Sequence, residues 1–281
     1  MRSHADDSRF AGVEIVHWNP RRRHLPRPLG RVRYGPRTDN FGDLLGPALV
    51  RRIVARLFVL PVGASDRETR RLLSVGSIMH AARDGDVVWG TGVNGKNLDT
   101  PLPARRLDVR AVRGPRTAEV LRQQGLPDSD VFGDPAILLP HLAPELTDLR
   151  PEEGSLALVP NLHDLPAWRE VRADAISPLG DPWKVIPAIL GAERVVTSSL
   201  HGLIVAEAFG RPAVLVKPEV ETMFKYDDYR EGTGRSALEA AGSLAEALDR
   251  VGTEAPAPID SRVGERLLSA FPAELWTGVS S

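Results

Sequence analysis

Apolar residues recur along this chain in two rhythms. From Gly12 to His17 (GVEIVH) they alternate with polar residues, the period of a strand with one buried face. From Phe41 to Leu57 the spacing turns helical: Leu44, Leu45, Leu49, Ile53 and Leu57 share a face, and Asn40 or Asp43 can cap the start. Short apolar runs follow at Phe58–Val62, Leu72–Ile78, Val87–Trp89 and Asp108–Val112, and each reads as a strand. Thr117 to Gln124 reads as a helix closed by Gly125, and Val131-Phe132 leads into Gly133-Asp134-Pro135. Strand, glycine turn, helix is the grammar of α/β units on a parallel sheet.

The stretch 141–154 is rich in proline and acid and reads as a linker after a first domain of residues 1–140. The same grammar then restarts. Strands are expected at Ser155–Val159, Arg194–Thr197 and Ala213–Val216, and helices at Pro182–Leu190, Leu200–Phe209 and Ser236–Val251. These make a second domain over 155–258, and the segment 259–281 is expected to be helical and to return toward the first. Two α/β domains in tandem would face each other across a cleft, with ligands beyond the carboxyl ends of the strands.

Composition narrows the function classes. The chain has 281 residues, a net charge of −1 and no cysteine. Disulfide scaffolds, cysteine nucleophiles, zinc–thiolate sites and iron–sulfur clusters are excluded, and nothing points to nucleic acid. The N-terminus MRSHADDSRF has no apolar core of a signal peptide, and the apolar stretch Val195–Ala206 is too short to span a bilayer, so a soluble, cytoplasmic protein is expected. Lysine occurs only at 96, 184, 217 and 225, arginine carrying the remaining positive charge. Arg21, Arg22, Arg23, Arg27, Arg31, Arg33 and Arg37 crowd one Pro/Gly-containing stretch, either a solvated loop or a dock for an anionic ligand or lipid headgroup.

The richest chemistry lies in Val195–Gly202 (VVTSSLHG). A buried strand runs into Ser198 and Ser199, either able to cap the next helix, and His201 falls on that helix's first turn. The positive end of the dipole favours an anion and a neutral imidazole, which suits a general base or a donor to phosphate; capping and a packed histidine are the plainer explanation. Arg113 and Arg116 flank a Gly-Pro turn and offer guanidinium forks for carboxylate or phosphate. Asn40, Gly42 and Asp43 gather at a helix start, and Gly90, Gly92 and Asp134 sit in turns that end strands. His163, Lys225 and Asp228 are further candidates for the cleft lining. No spacing matches a dinucleotide fingerprint, a Walker loop or a metal cluster, so no metal ligand is assigned.

Taken in order, NFGDLL, VGSI, VWGTGV, VRGPRTAEVLRQQG, FGDPAILLP, ERVVTSSLHGLIVAEAFGRPAVLV and KYDDY resemble the polysaccharide pyruvyl transferases, across roughly Asn40 to Tyr229, most nearly the short exopolysaccharide-type members. The resemblance implies a GT-B-like pair of Rossmann-like domains. It also implies transfer of the enolpyruvyl unit of phosphoenolpyruvate (PEP) to a sugar or lipid-linked oligosaccharide, closing as a pyruvate ketal. His201 then lies at the PEP site, and Arg113 and Arg116 are the arginines of the family's RGP segment. PEP is the donor substrate and no cofactor is implied; a divalent metal stays open. A peripheral contact with the inner face of an anionic membrane falls to the Arg21–Arg37 loop. Two other readings stay open beside it: a nucleotide-sugar glycosyltransferase on the same architecture, and a non-catalytic glycan- or lipid-binding subunit.

Overall fold

A computed structural model describes residues 8–21, 36–57, 70–96, 98–237 and 239–277. The first sheet holds β1 (Arg9–Phe10), β2 (Val13–Val16), β3 (Arg70–Leu73), β4 (Asp86–Trp89) and β5 (Leu107–Ala111) in that spatial order. β1 is antiparallel to β2, and the rest are parallel, Leu72 lying between Ile15 and Val87. The second sheet holds β6 (Glu152–Val159), β7 (Ala192–Thr197) and β8 (Ala213–Leu215), all parallel. One parallel bridge extends each sheet, Val112 with Phe132 and Val216 with Ala241. Strands follow chain order within each sheet, so neither sheet has its own reversal point among the described residues. Parallel strands release all their chains at one end, and the loops beyond those ends are the natural place for a ligand.

Side chains alternate faces along the strands, and the core follows that period. Leu72 and Val87, with Val195 and Leu215, belong to one apolar cluster that runs through both halves. Their neighbours Leu73 and Val88 face a second cluster behind the first sheet, and Val196 and Val214 a third behind the second sheet. The shared cluster also holds Leu45 and Leu49 of α1 (Phe41–Leu57), Ile186 and Ile189 of α5 (Pro182–Leu190), and Leu203 and Ile204 of α6 (Leu200–Ala208). The stretch read as a linker contributes to it as well. α3 (Leu139–Leu142) and the 3-10 turn Pro144–Leu146 bury Leu142, Ala143 and Leu146 there.

The remaining helices are α2 (Pro115–Gln123), α4 (Leu165–Val171), α7 (Phe224–Gly232), α8 (Leu244–Arg250), α9 (Ser261–Ser269) and α10 (Glu274–Thr277). α4 and α7 were not expected as helices. The helix expected from Ser236 starts only at Leu244. Ser243 caps it by accepting from Glu246 N (3.2 Å), and Glu246 Oε2 reaches back to Gly242 N (2.8 Å), while Ala241 is committed to Val216. The strand expected at 72–78 starts at Arg70 and stops at Leu73, because the chain turns away before Gly76, whose φ is +101°. The strand expected at 58–62 lies outside the described residues, as do Arg22, Arg23, Arg27, Arg31 and Arg33 of the arginine cluster. Arg21 and Arg37, at its two ends, are paired by an antiparallel bridge.

The last helices pack on the first sheet. Trp89 Nε1 donates to the Leu267 carbonyl (2.8 Å), Trp276 Nε1 to the Phe10 carbonyl (3.1 Å), and Phe271 stacks on Trp276. No helix among the described residues is long and apolar enough to cross a membrane. Trp89 is fully buried, so Trp89→Phe removes both its bond to α9 and packed volume. The variant is expected to lose about 2 kcal/mol of stability in urea denaturation, with faster amide exchange in α9 than in the second sheet.

Candidate active site

The loops that leave the two sheets enclose a cavity of about 350 Å³. The first sheet sends Trp18 from beyond β2, Ser77 and His80 from beyond β3, and Asn94 and Lys96 from beyond β4. The second sends Asn161 and His163 from beyond β6, Ser199 and His201 from beyond β7, and Glu221 and Lys225 from beyond β8. The start of α1 adds Asn40 and Asp43. The Asn40 side chain accepts from Gly42 N (3.0 Å) and fixes that turn.

His201 stands in the first turn of α6, which Ser199 caps by accepting from Gly202 N (3.3 Å). Its ring lies edge-on to Phe41, and a Cβ on Gly42 would fall 2.2 Å from Nδ1, so this imidazole fits only because position 42 has no side chain. Nε2 has no hydrogen-bond partner in the protein, and neither has Oδ2 of Asp134, 3.8 Å away. That separation is too long for a hydrogen bond and short enough for one to form on a small movement. Burial pushes Asp134 up to about 6, although the Ala136 N–H and the Arg113 charge pull the other way. Burial, then the Lys225 and Arg113 cations, push His201 down to about 3, so the imidazole is neutral.

A second group of charges spans the cavity. Glu221 holds Lys96 through Oε1 (2.6 Å) and Lys225 through Oε2 (2.9 Å), tying the loop after β4 to the loop after β8. Burial lowers the Lys225 ammonium, and Glu221 opposes that shift. Asp43 is raised to about 7 by burial, with Lys225 lowering and Glu221 raising it. The cavity therefore brings together a pair of lysines shared by one glutamate, a carboxyl raised to about 7, a neutral imidazole and a helix N-terminus.

Polysaccharide pyruvyl transferase is the family model this chain matches, over residues 40–219, well over half its length. The chain belongs to that family. It is also similar to the succinoglycan biosynthesis protein ExoV of Rhizobium meliloti (strain 1021), 28% identical over 193 residues, which is 63% of this chain and 58% of that protein. The chain thus matches less than two thirds of that relative's length. No solved structure matches it.

The part matched to the pyruvyl transferases contains Asn40, Asp43, His163, Ser199 and His201, all on the cavity, and ends just before Glu221 and Lys225. Other residues singled out in the sequence lie behind it. Ser198 turns inward, its Oγ accepting from Asn161 N (3.0 Å). Gly90 backs onto Pro135 and Gly92 onto the Arg113 guanidinium, with no room for a Cβ at either. Arg113 has no exposed surface; it donates to Asp228 Oδ2 (3.0 Å), Ser77 Oγ (2.8 Å) and the Val93 carbonyl (2.6 Å). Arg116 is committed outside the cavity to Glu231 (2.6 Å) and Asp227 (2.9 Å).

The KYDDY run shows how one helix distributes its work. Lys225 faces the cavity, Tyr226 OH donates to the Ser198 carbonyl (2.7 Å), and Asp227 pairs with Arg116. Asp228 accepts from Arg113 and from Thr117 N and Oγ1, and Tyr229 OH donates to Glu207 Oε2 (2.7 Å). Lys96, Glu221, Asn94, His80 and Trp18 had not been proposed as site residues. The usable signal was the scarcity of lysine: of four in the chain, two converge on the cavity.

No group of three or more potential metal ligands is gathered among the described residues. Asp134→Asn keeps the Oδ1 acceptor for Ala136 N (2.9 Å) and removes the titrating acid. A carboxyl raised in the folded state stabilises fully below its unfolded pKa and loses that contribution as pH rises through its folded one. The variant should therefore gain stability relative to the parent as pH rises from about 4 to about 6, as denaturation midpoints measured across that range would show.

Proposed function

We propose that the protein moves the enolpyruvyl unit of PEP onto two hydroxyls of a sugar in an exopolysaccharide precursor, closing a pyruvate ketal. The observation that carries this reading is the meeting of Asp43, whose burial raises it to about 7, with the neutral His201 and with Lys96 and Lys225 in one cavity. Family membership supports pyruvyl transfer, and the named role of ExoV in succinoglycan biosynthesis supports an exopolysaccharide acceptor. We further propose that the two sheets are the Rossmann-like halves of a GT-B-like arrangement. The reaction would be cytoplasmic, where PEP is made, with the arginine-rich stretch 21–37 as the contact for an anionic inner membrane face.

PEP carries a phosphate and a carboxylate on C2 and a methylene at C3. Lys96 and Lys225, now shared by Glu221, are the cations free to exchange that carboxylate for the donor's anions. The N-terminus of α6 adds partial positive charge, and Arg113 acts through its field from behind Ser77. Asp43 gives its proton to C3, leaving positive charge at C2. A sugar hydroxyl adds to C2 and its proton passes to His201. The bond from C2 to the phosphate oxygen breaks, and a second hydroxyl closes the ketal. Of the two hydroxyl protons, one restores Asp43 and the other leaves with inorganic phosphate. The anionic donor offsets the lysine and arginine fields that depress His201, raising its basicity when PEP is bound.

Thermal shift with PEP should exceed that with inorganic phosphate, and PEP with a sugar acceptor should release phosphate. His201→Ala is expected to lower kcat by about 10²–10⁴-fold. Lys225→Ala should raise KM for PEP by about tenfold or more, whereas Arg116→Ala, outside the cavity, should change it by less than about threefold. The free enzyme needs Asp43 protonated, so kcat/KM should fall as pH rises above about 7. A shift with UDP-glucose and none with PEP would replace this reading with the glycosyltransferase one.

A further inference from the structure

Five large apolar residues are exposed among the described residues, and Trp18 is the one of them on the cavity. It is 48% exposed, yet it lines the cavity, standing at its rim on the loop beyond β2. Its indole is held rather than free: the exposed His80 packs against it edge-on, ring centroids 5.4 Å apart at 71°. An exposed indole fixed in this way presents an apolar face that no described residue fully covers. The cavity lining holds an independent anomaly. Oδ1 of Asn94 is buried and has no hydrogen-bond partner. A buried carbonyl oxygen without a donor is costly, and a ligand hydroxyl would satisfy it. Thr38 and Asn40 add further uncharged polar groups to the lining.

An apolar plane beside uncharged hydrogen-bonding groups matches a pyranose ring, which has one face of C–H bonds and an edge of hydroxyls. We propose that Trp18, backed by His80 and with Asn94 as a hydroxyl acceptor, forms the subsite that holds the acceptor sugar. This rests on the pyruvyl-transfer reading for its biological meaning, but saccharide binding can be measured without any donor. Trp18 stacks on the C–H face, Asn94 Oδ1 takes one hydroxyl, and the ring's other hydroxyls are turned toward Asp43 and His201. The donor's anions remain with Lys96 and Lys225, so the two substrates are recognised by different chemistry in one cavity.

The test is saturation-transfer NMR on the full chain with methyl β-D-galactopyranoside and methyl β-D-glucopyranoside, and with UDP as a control. The parent protein should transfer saturation most strongly to the axial C–H protons of at least one of the two pyranosides. Trp18→Phe should retain most of that signal, while Trp18→Ala should weaken saccharide affinity by about tenfold, as should Asn94→Ala. The thermal shift caused by PEP should be the same in all four proteins. No transfer to either pyranoside, undiminished transfer in Trp18→Ala, or transfer to the uracil of UDP in place of the sugars would overturn the subsite. Saccharide binding with no PEP shift and no phosphate release would leave the subsite standing and remove the pyruvyl-transfer reading.

Discussion

Arg113 and Asp228 meet with no exposed surface on either side chain, and the architecture of the site hangs on that contact. A fully buried ion pair is tolerable only when its remaining groups are satisfied. Here Ser77, the Val93 carbonyl and both donors of Thr117 complete it. Breaking such a pair typically costs about 3–5 kcal/mol, because one charge is left stranded. Its position makes it consequential: it pins α7, from the second half, on the RGP turn of the first. The two backbones are close enough there that a Cβ on Gly114 would fall 1.8 Å from the Asp228 carbonyl oxygen. Glu207, accepting from Tyr229, Arg230 and Arg235, pins the other side of the same helix to α6. With α7 held at both sides, Lys225 at its start is fixed over the cavity.

That fixation explains why the ionisable groups of the cavity are so far from their ordinary values. Burial raises Asp43 and Asp134 and lowers His201, and nearby cations deepen the last effect. The raised carboxyls cost stability as pH rises above their ordinary range, and the lowered imidazole costs stability as pH falls through the range where it would take a proton in water. Such a site suits a reaction in which an anion arrives, because the incoming charge changes the protonation balance at the moment the substrate binds. The unpartnered Nε2 of His201 and Oδ2 of Asp134 show the same unfinished quality, a small movement away from a bond.

Periodicity along the chain is a local property, and it anticipated the local elements well. The helix at Phe41–Leu57 and the strand-to-helix passage around VVTSSLHG are where the spacing of apolar residues puts them. The failures were also local in cause. The capping pair Ser243 and Glu246 hid inside a stretch of good helix formers, and α7 was masked by its charges. KYDDY has no simple apolar stripe, because four of its five residues are paired with partners distant in sequence, and no periodicity reveals such partners.

By itself the sequence determined the α/β class, the order of the motifs and the histidine on a capped helix start, because each depends on residues within a few turns of one another. Tertiary structure alone decided how the arginines and lysines divide their work. An arginine next to a Gly-Pro turn reads as an anion clamp until the fold shows a carboxylate already buried against it, as Asp228 is against Arg113. Lys96 and Lys225 lie 129 positions apart and carry no shared motif, yet one glutamate holds both. Whether a charge is spent or available depends on its neighbours in space, and only the closing of two sheets around one cavity creates those neighbours.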